Sequence, residues 1–298
     1  MILEKDDTNR DLGKKPHVCR ICGAAGEFQS WKVREMLYGT KDEFEYFECP
    51  VCVCLQIAEV PEDLSKYYST SEYYSFQNQI KFDNDRVAGN KKEKVLDVGC
   101  GNGKWLVEKW KEGYQYLRGC DPFLDSDIQY GDDIKIKKCT IHKIEGDKKF
   151  DLIHMGDSLE HVTDPLEVLQ SVKRLLTPNG IVEIAIPTWP NAAFDMFKAH
   201  WFQIDAPRHI FLPSGHCLEY MAQKSGFLID EVQYDSKGKQ FVVSFFYEHG
   251  IPMKDINTEL IKELFSPQEV SSITRTTEAV NEEGRGDHIL VRLVHDNS

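Results

Sequence analysis

A short, mainly apolar run leads directly into three glycines at alternate positions, in the segment Val95-Leu96-Asp97-Val98-Gly99-Cys100-Gly101-Asn102-Gly103. The run predicts a buried strand, and the glycines predict a turn whose backbone can approach a nucleotide-like ligand that a Cβ would hit. A dinucleotide-binding turn needs its third glycine three positions after the second, where this chain has Lys104. The segment therefore favours a nucleotide-like ligand other than a dinucleotide, with a plain tight turn as the alternative.

From Lys94 onwards, short apolar runs alternate with segments of helical periodicity. This alternation is typical of repeated βα units, which build a parallel sheet. Apolar runs predict strands at 95–98, 116–120, 134–138, 150–155, 181–186, 227–234 and 288–295. Helical spacing predicts helices at 104–111, 165–176 and 267–282, with a turn at 177–180. The expected fold is α/β, with a doubly wound, seven-stranded, mostly parallel sheet.

Two Cys-x2-Cys pairs, Cys19/Cys22 and Cys49/Cys52, lie near the N-terminus and are separated by 26 residues. Each pair can place two thiolates at tetrahedral angles about one Zn²⁺, and four thiolates close the coordination sphere, which favours a structural metal. The metal would replace the core that about 40 residues cannot build. Cys54 is an alternative fourth ligand, and chance clustering of reduced cysteines is the alternative explanation.

The chain has 36 Lys+Arg against 49 Asp+Glu, for a formal net charge of −13. Nucleic acid is therefore not an expected partner, because Lys and Arg supply most of the affinity for phosphates. The nine cysteines are an odd number and unevenly spaced, unlike a disulfide framework. No apolar run approaches the ~18 residues of a membrane span, and residues 1–15 contain no signal-peptide core. We expect a cytoplasmic protein.

Composition divides the chain into four regions, with expected boundaries at 1–16, 17–60, 61–90 and 91–298. Residues 1–16 are charged and lack periodicity, which predicts a loose tail. Residues 17–60 carry the cysteine pairs and predict a small zinc-binding module. Residues 61–90 are rich in tyrosine and predict a connector to the α/β domain of residues 91–298.

The glycine segment resembles the S-adenosylmethionine-binding motif of class I methyltransferases. Three later segments are similar, in order, to that family's fourth-strand and fifth-strand regions, and the resemblance covers roughly residues 90–235. They are Phe150-Asp151-Leu152-Ile153, then Leu159-Glu160-His161-Val162 with Asp164-Pro165, and finally Leu175-Leu176-Thr177-Pro178-Asn179-Gly180. The resemblance implies a Rossmann-like fold and S-adenosylmethionine as the methyl donor.

Asp121 closes the second predicted strand, where a carboxylate can accept hydrogen bonds from both hydroxyls of a ribose. By resemblance, the methionine part of the donor lies against Asp97 and the glycine turn, and Asp157 and Ser158 lie on its far side. The expected donor-binding residues are Asp97, Gly99, Gly101, Asn102, Gly103, Asp121, Pro122, Asp157 and Ser158. An acidic residue facing adenine, present in many members, is not evident around residues 139–141, so that assignment stays open.

The segment Trp201-Phe202-Gln203-Ile204-Asp205-Ala206-Pro207-Arg208-His209-Ile210-Phe211 follows the fifth predicted strand. Ligands of open α/β sheets bind beyond the carboxyl ends of the strands, so this loop can cover a methyl donor. A hydroxyl acceptor needs a base, and His209 can titrate near neutral pH. Asp205 could orient His209 or bind the acceptor, and Arg208 could bind an anionic group. The alternative is an ion pair that only closes the loop.

Two further residues are candidates for acceptor binding. His161 stands at a predicted helix start, where a packing or capping role is the alternative, and Tyr73 lies in the connector. His200 and His216 are weaker candidates for a base.

The Asp205–His209 segment is similar to one in a methyltransferase subgroup that joins an N-terminal cysteine-pair domain to the class I fold. Members near it include sugar C-methyltransferases of antibiotic pathways and enzymes linked to bacterial surface polysaccharides. A histidine of this segment is a proposed base in them, and His209 matches it. The sequence departs at Val53, where glycine usually follows the second cysteine pair.

We therefore expect a methyltransferase that acts on a small polar acceptor, a sugar of a nucleotide-linked or surface-polysaccharide glycan. The zinc module, with Tyr73 and Tyr74, would form the outer wall of the acceptor pocket. Alternatives are a methyltransferase that recognises protein or RNA through the cysteine module, and a non-catalytic regulator that binds the donor. The position of Lys104 disfavours an oxidoreductase.

Overall fold

The computed structural model describes residues 5–6, 8–68, 80, 82, 90–147 and 149–296. The chain forms two compact units, each assembled from separate stretches. Unit 1 consists of Met1–Tyr67, Pro187–Leu218 and Gln233–Ile289, and unit 2 consists of Tyr68–Ile186, Glu219–Val232 and Leu290–Ser298. The expected domain boundaries at residues 17, 61 and 91 stay a prediction.

Strands and helices are numbered separately, each in chain order. The strands are β1 (Arg10–Val18), β2 (Ala25–Arg34), β3 (Glu43–Cys49), β4 (Cys54–Ile57), β5 (Lys91–Val98), β6 (Tyr114–Cys120), β7 (Ile128–Tyr130), β8 (Ile134–Lys137), β9 (Phe150–Gly156), β10 (Leu176–Pro187), β11 (Phe211–Pro213), β12 (Phe227–Tyr234) and β13 (His288–His295). The helices are α1 (Lys104–Lys111), α2 (Pro165–Leu175), α3 (Ala192–Phe197), α4 (Gly215–Ser225), α5 (Lys239–Glu248), α6 (Thr258–Leu264) and α7 (Pro267–Glu282).

A mixed sheet carries the α/β part of the chain, in the order β12-β13-β10-β9-β5-β6-β8-β7. Strands β10, β9, β5, β6 and β8 pair in parallel, and β7 pairs with β8 antiparallel. The expected α/β class is confirmed, but the described part of this sheet has eight strands where the sequence predicted seven. The additional strand is β7, whose three residues are too few to show a strand pattern in the sequence.

The core of unit 2 lies between this sheet and α1. Val95, Leu117 and Ile134 of the sheet are fully buried, and Leu106 and Trp110 of α1 pack in the same cluster. Helix α1 can present this face because it starts directly after the glycine turn, at residue 104. The helix is thereby fixed beside the carboxyl end of β5, where the turn lies.

Five antiparallel strands form the sheet of unit 1, in the order β1-β2-β3-β4-β11. The expected loose tail at residues 1–16 was wrong for residues 10–16, which belong to β1 and pair with β2. Charge and missing periodicity suggested a tail, but an edge strand can be polar on both faces because one neighbour suffices for its hydrogen bonds. Pro16 is tolerated at this edge, since it has no N–H to donate.

The predicted turn at Thr177–Gly180 was also wrong, because these residues belong to β10. The register with β9 shifts between Leu176 and Ile181, so the turn-forming residues are accommodated as an irregularity inside the strand. Proline and glycine therefore mark a real break in the ladder, although the chain does not reverse there.

Asp287 is a buried carboxyl group in unit 1, with 2% of its surface exposed, and it accepts a hydrogen bond of 3.0 Å from Trp201 Nε1. Burial raises the pKa of Asp287 from 3.8 to about 6. A carboxyl group with a higher pKa in the folded chain destabilises the fold as it ionises. The free energy of unfolding should therefore fall by up to about 3 kcal/mol as the pH rises from about 4 to about 6.

The substitution Asp287→Asn should remove this contribution, because asparagine keeps an acceptor oxygen for Trp201 and cannot ionise. We expect the variant to gain stability relative to the unchanged chain as the pH rises through this window, and the difference to stay constant above it. Urea unfolding at several pH values between 4 and 8 measures this difference. Parallel pH profiles for the two chains would contradict the assignment.

Candidate active site

A cavity of about 750 Å³ lies in unit 2 at the carboxyl ends of β5, β6, β8 and β9. Strands β6 and β8 lie on one side of β5 and β9 lies on the other, so the chain changes direction across the sheet at this point. Loops diverge where the strand order reverses, which leaves a crevice for a ligand. The lining includes eight of the nine expected donor-binding residues, namely Asp97, Gly99, Gly101, Asn102, Asp121, Pro122, Asp157 and Ser158.

The ninth, Gly103, is not among the lining residues and instead starts α1. Its φ of +85° lies in the left-handed region, and a Cβ there would collide with the side chain of Ile136. The glycine is thus required by backbone conformation and packing. Gly99, with φ of +73°, is similarly restricted, since a Cβ would collide with Ser158 on the opposite loop.

Asp121 is held by the backbone at the end of β6. Its Oδ2 accepts a hydrogen bond of 3.0 Å from the Gly101 amide, and its Oδ1 accepts one of 2.8 Å from the Phe123 amide. Burial raises the pKa of Asp121, and these two backbone bonds oppose that rise. The carboxyl group is therefore fixed in orientation at the cavity wall, as binding of a ribose would require.

Asp97 contacts His154, which was not among the residues predicted from the sequence. His154 Nδ1 lies 2.9 Å from Asp97 Oδ1, and the His154 ring stacks on Trp105 with 3.9 Å between centroids and 4° between planes. Burial raises the pKa of Asp97, and the hydrogen bond from His154 opposes the rise. Asp97 and His154 are paired neighbours on β5 and β9, so only knowledge of the strand register could have revealed the contact.

His161 lines the same cavity, together with a tyrosine of the connector. The Tyr68 hydroxyl lies 3.1 Å from His161 Nδ1, within hydrogen-bond distance, and the Tyr68 ring stacks on Phe123 with 5.1 Å between centroids. Tyr73, the expected connector residue, lies outside the described residues, as does Tyr74. Among the described residues of the tyrosine-rich segment, Tyr68 lines the cavity.

Arg208 belongs to unit 1 and is completely buried. Its Nη2 donates to Glu35 Oε1 at 3.0 Å, and its Nε donates to Asp205 Oδ2 at 2.8 Å. Glu35, also completely buried, accepts further bonds from the amides of Tyr38 and Thr40. The expected contact between Arg208 and an anionic acceptor is therefore corrected to a structural ion-pair network, because the guanidinium has no accessible surface.

His209, in the same loop of unit 1, is 6% exposed. Its Nδ1 lies 2.7 Å from the carbonyl oxygen of Gln203, which can only accept, so the neutral ring carries its lone pair on Nε2. Asp205 Oδ2 lies 3.8 Å from His209 Nε2, and the orienting role expected for Asp205 stays a prediction. The Gln203 carbonyl, rather than Asp205, sets the tautomer.

The weaker histidine candidates have different surroundings. His200 is buried in unit 1, and burial lowers its pKa. His216 lies on the exposed surface of α4.

Four cysteine sulfurs in unit 1 lie within 4.8 Å of one another, those of Cys19, Cys22, Cys49 and Cys52. The distances are 3.5 Å between Cys19 and Cys52 and 3.6 Å between Cys22 and Cys49. Tetrahedral Zn–S bonds of about 2.3 Å require sulfurs about 3.8 Å apart, so the cluster could hold one Zn²⁺. Cys54 is buried in β4 outside this group, which favours Cys52 as the fourth ligand.

The two cysteine pairs are followed by residues in the same backbone conformation. Gly23 follows Cys22 with φ of +73°, and Val53 follows Cys52 with φ of +55°. A β-branched residue is strained in this region, which explains why glycine is usual at the second position. The turn at the second cysteine pair nevertheless forms, and the Val53 amide donates a hydrogen bond of 2.9 Å to the Cys49 carbonyl oxygen.

Residues 78–232, just over half of the chain, match the family model of a methyltransferase domain. A ubiquinone biosynthesis O-methyltransferase from Haemophilus ducreyi is 35% identical over 103 residues, 30% of this chain and 43% of that protein. A demethylmenaquinone methyltransferase from Geobacillus stearothermophilus is 26% identical over 166 residues, 49% of this chain and 69% of that protein. The similarity spans 40% to 50% of the length of seven of the curated relatives, all named ubiquinone biosynthesis O-methyltransferases.

Among solved structures, a 1,6-didemethyltoxoflavin-N1-methyltransferase from Burkholderia thailandensis with bound S-adenosylhomocysteine is 14% identical, with a TM-score of 0.42. That similarity covers 70% of this chain and 72% of the other.

The chain belongs to the methyltransferase family whose sequence model matches residues 78–232. Its α/β domain is that of an S-adenosylmethionine-dependent methyltransferase. The cavity at the strand reversal lies where the fold expects this cofactor. In the part of the chain that the structure describes, every helix is too short or too polar to cross a membrane.

Replacement of Arg208 by methionine should destabilise the fold by about 3–5 kcal/mol, because it leaves Glu35 buried without its cation. Arg292→Met is the matched control, since Arg292 is 40% exposed and pairs with Asp230 at 3.5 Å. We expect the control to cost less than about 1 kcal/mol. Urea unfolding at neutral pH compares the two variants, and equal small losses would contradict the structural role of Arg208.

Proposed function

We propose that this protein transfers the methyl group of S-adenosylmethionine to a small polar acceptor. The observation that carries the proposal is the cavity at the reversal between β5 and β9, lined by eight expected donor residues in a chain of the methyltransferase family. S-adenosylmethionine supplies a methyl group on a positively charged sulfur, from which a nucleophile can displace it. The residues of this chain would bind the donor and the acceptor, orient them and remove the proton of the acceptor.

The residues of the cavity fit such a donor. Asp121 is oriented by two backbone amides to accept hydrogen bonds from the ribose hydroxyls. Gly99 and Gly101 have no side chains, so the backbone at these two positions can approach the methionine part. Asp157 and Ser158 would bound the far side, and Ser158 is itself held by a 2.8 Å bond to the carbonyl oxygen of Val98.

We propose His209 as the base that accepts the proton of the acceptor. The Gln203 carbonyl fixes its Nδ1 as the donor, so Nε2 holds the lone pair that a base requires. The carbonyl oxygen of His209 is anchored by a 2.8 Å bond from the Tyr46 hydroxyl, which restrains the loop position. Asp205 contributes indirectly, since it is bound to Arg208 and restrains the same loop.

The acceptor we propose is a sugar of a nucleotide-linked or surface-polysaccharide glycan. Support comes from the similarity of the Asp205–His209 segment to that of sugar methyltransferases. The second candidate is an acceptor of quinone biosynthesis, because that is what the names of the matched relatives describe. Those matches cover 30% and 49% of this chain, so they leave much of it outside the similarity.

We also propose that Cys19, Cys22, Cys49 and Cys52 hold a structural Zn²⁺. The sulfur separations agree with tetrahedral geometry, and four thiolates would leave no open position for chemistry. The nine cysteines are all free, as suits a reducing, cytoplasmic compartment.

The net charge of −13 makes nucleic acid an unfavourable partner.

Calorimetric titration with S-adenosylhomocysteine and, separately, with NAD tests the donor assignment, and zinc should be determined on the same sample. We expect S-adenosylhomocysteine to bind with a Kd on the order of micromolar, NAD not to bind, and about one zinc per chain to be present. Binding of NAD without binding of S-adenosylhomocysteine would refute the donor assignment. Absence of zinc from a folded sample would refute the metal site alone.

The substitution His209→Asn tests the base, because asparagine can still donate to the Gln203 carbonyl but lacks Nε2. Methyl transfer to a responsive acceptor, found by screening nucleotide sugars and quinone precursors, should fall by about 10²–10⁴. Binding of S-adenosylhomocysteine should not change. The matched control is His249→Asn, since His249 Nδ1 also lies 2.7 Å from a backbone carbonyl in unit 1, that of Phe245. Full activity of the His209 variant would remove this histidine from the mechanism.

A further inference from the structure

Strand β4 is completely buried, although it contains a glutamine, Gln56, between Leu55 and Ile57. Burying an amide side chain is costly unless its donor and acceptor atoms form hydrogen bonds. A methionine of similar volume would fill the same space in the core without that requirement. The hydrogen bonds of Gln56 therefore indicate what its amide group contributes to unit 1.

The amide group of Gln56 binds the first cysteine pair through both of its ends. One end lies 3.0 Å from the backbone N–H of Arg20, which can only donate, so this end is the oxygen Oε1. The other end is therefore Nε2, which donates to Cys19 Sγ at a distance of 3.1 Å. Arg20 is bound to the same strand a second time, since its Nη2 donates to the carbonyl oxygen of Ile57 at 2.5 Å.

Cys19 is one of the four cysteines proposed to bind Zn²⁺, and it is 1% exposed. Four thiolates carry more negative charge than one Zn²⁺ neutralises, so a buried site of this kind is stabilised by N–H donors directed at the sulfurs. Cys19 Sγ has two such donors, Gln56 Nε2 at 3.1 Å and the Cys22 amide at 3.5 Å. Of the two, the Gln56 donor can be removed by changing a side chain.

The backbone of Gln56 belongs to the sheet that supports the loop bearing His209. Gln56 is paired with Phe211 of β11, the second residue after His209. The neighbouring amide of Ile57 donates to the carbonyl oxygen of Ile210 at 3.0 Å. Gln56 thus contacts a cysteine sulfur through its side chain and the strand after His209 through its backbone.

We propose that Gln56 is a positioning residue that stabilises the metal-bound form of the Cys19 thiolate and fastens the metal site to the strand that follows His209. The inference rests on the proposed metal site and base, and it adds the residue that connects them within unit 1. A side chain that hydrogen-bonds a metal ligand orients that ligand. Loss of the Gln56 amide should therefore weaken metal binding and loosen β11 together.

The substitution Gln56→Met removes both hydrogen bonds of the amide and keeps the volume of the side chain. Competition with a chelator of known affinity measures zinc binding on the full chain. We expect the Kd for Zn²⁺ to rise by about 10–100-fold, as for other residues that hydrogen-bond a metal ligand. Gln240→Met is the matched control, because Gln240 of unit 1 is 1% exposed and its amide has no hydrogen-bond partner among the described residues. The control should change this Kd by less than about twofold, since it removes no bond to a metal ligand.

Hydrogen exchange at saturating Zn²⁺, followed by mass spectrometry, tests the connection to the loop bearing His209. In Gln56→Met we expect faster amide exchange in β4 and β11, and unchanged exchange in β9 and β10 of unit 2. Equal acceleration in both units would show a general loss of stability and overturn the inference.

A measurement on the unchanged chain does not depend on the folding of a variant. When a spin-active isotope of cadmium replaces Zn²⁺, nuclear magnetic resonance detects coupling between the metal and a proton that is hydrogen-bonded to a ligand sulfur. We expect a correlation between cadmium and a glutamine side-chain amide proton. Absence of this signal from the cadmium-loaded chain would overturn the inference.

Unchanged zinc affinity in Gln56→Met would also overturn it, and the proposed metal site would stand, provided that the unchanged chain binds zinc. A folded, unchanged chain that binds no zinc would refute the metal site itself and this inference with it. Neither result touches the assignment of the methyl donor, which the titration with S-adenosylhomocysteine tests separately.

Discussion

The cavity of unit 2 depends on a reversal in the order in which the chain adds strands to its parallel sheet. From β5 the chain adds β6 and β8 on one side, and it then returns to place β9 on the other side of β5. The loops that leave β5 and β9 must therefore diverge, and a crevice opens between them. The residues expected to bind the donor lie along this crevice, where Ser158 approaches Gly99 and His154 contacts Asp97.

The electrostatics of the cavity follow from the same arrangement. Asp97 and Asp121 end neighbouring strands, and burial raises the pKa of both carboxyl groups. Each is compensated by fixed donors, His154 for Asp97 and two backbone amides for Asp121. A donor with a cationic sulfur would further stabilise these carboxylates and would offset part of the cost of burying them.

In unit 1, a single guanidinium organises segments that are far apart in the chain. Arg208 binds Glu35 next to β2 and Asp205 in its own loop, and all of its donors lie away from solvent. A buried cation of this kind is tolerated only where its partners are in place. The loop that bears His209 is therefore fixed by the same contacts that anchor the cysteine-bearing segment.

The sequence by itself determined the elements whose signals are local. Local patterns of neighbouring residues predicted the strand and turn at Val95–Gly103 and the helix at residues 104–111. The spacing within each cysteine pair likewise predicted that the cysteines would lie together. Only the tertiary structure decided the roles of Arg208, His154 and Tyr68, and the short strand β7. These depend on strand register and on burial by distant segments. A guanidinium looks the same in the sequence whether it faces an acceptor or a buried glutamate 173 residues away.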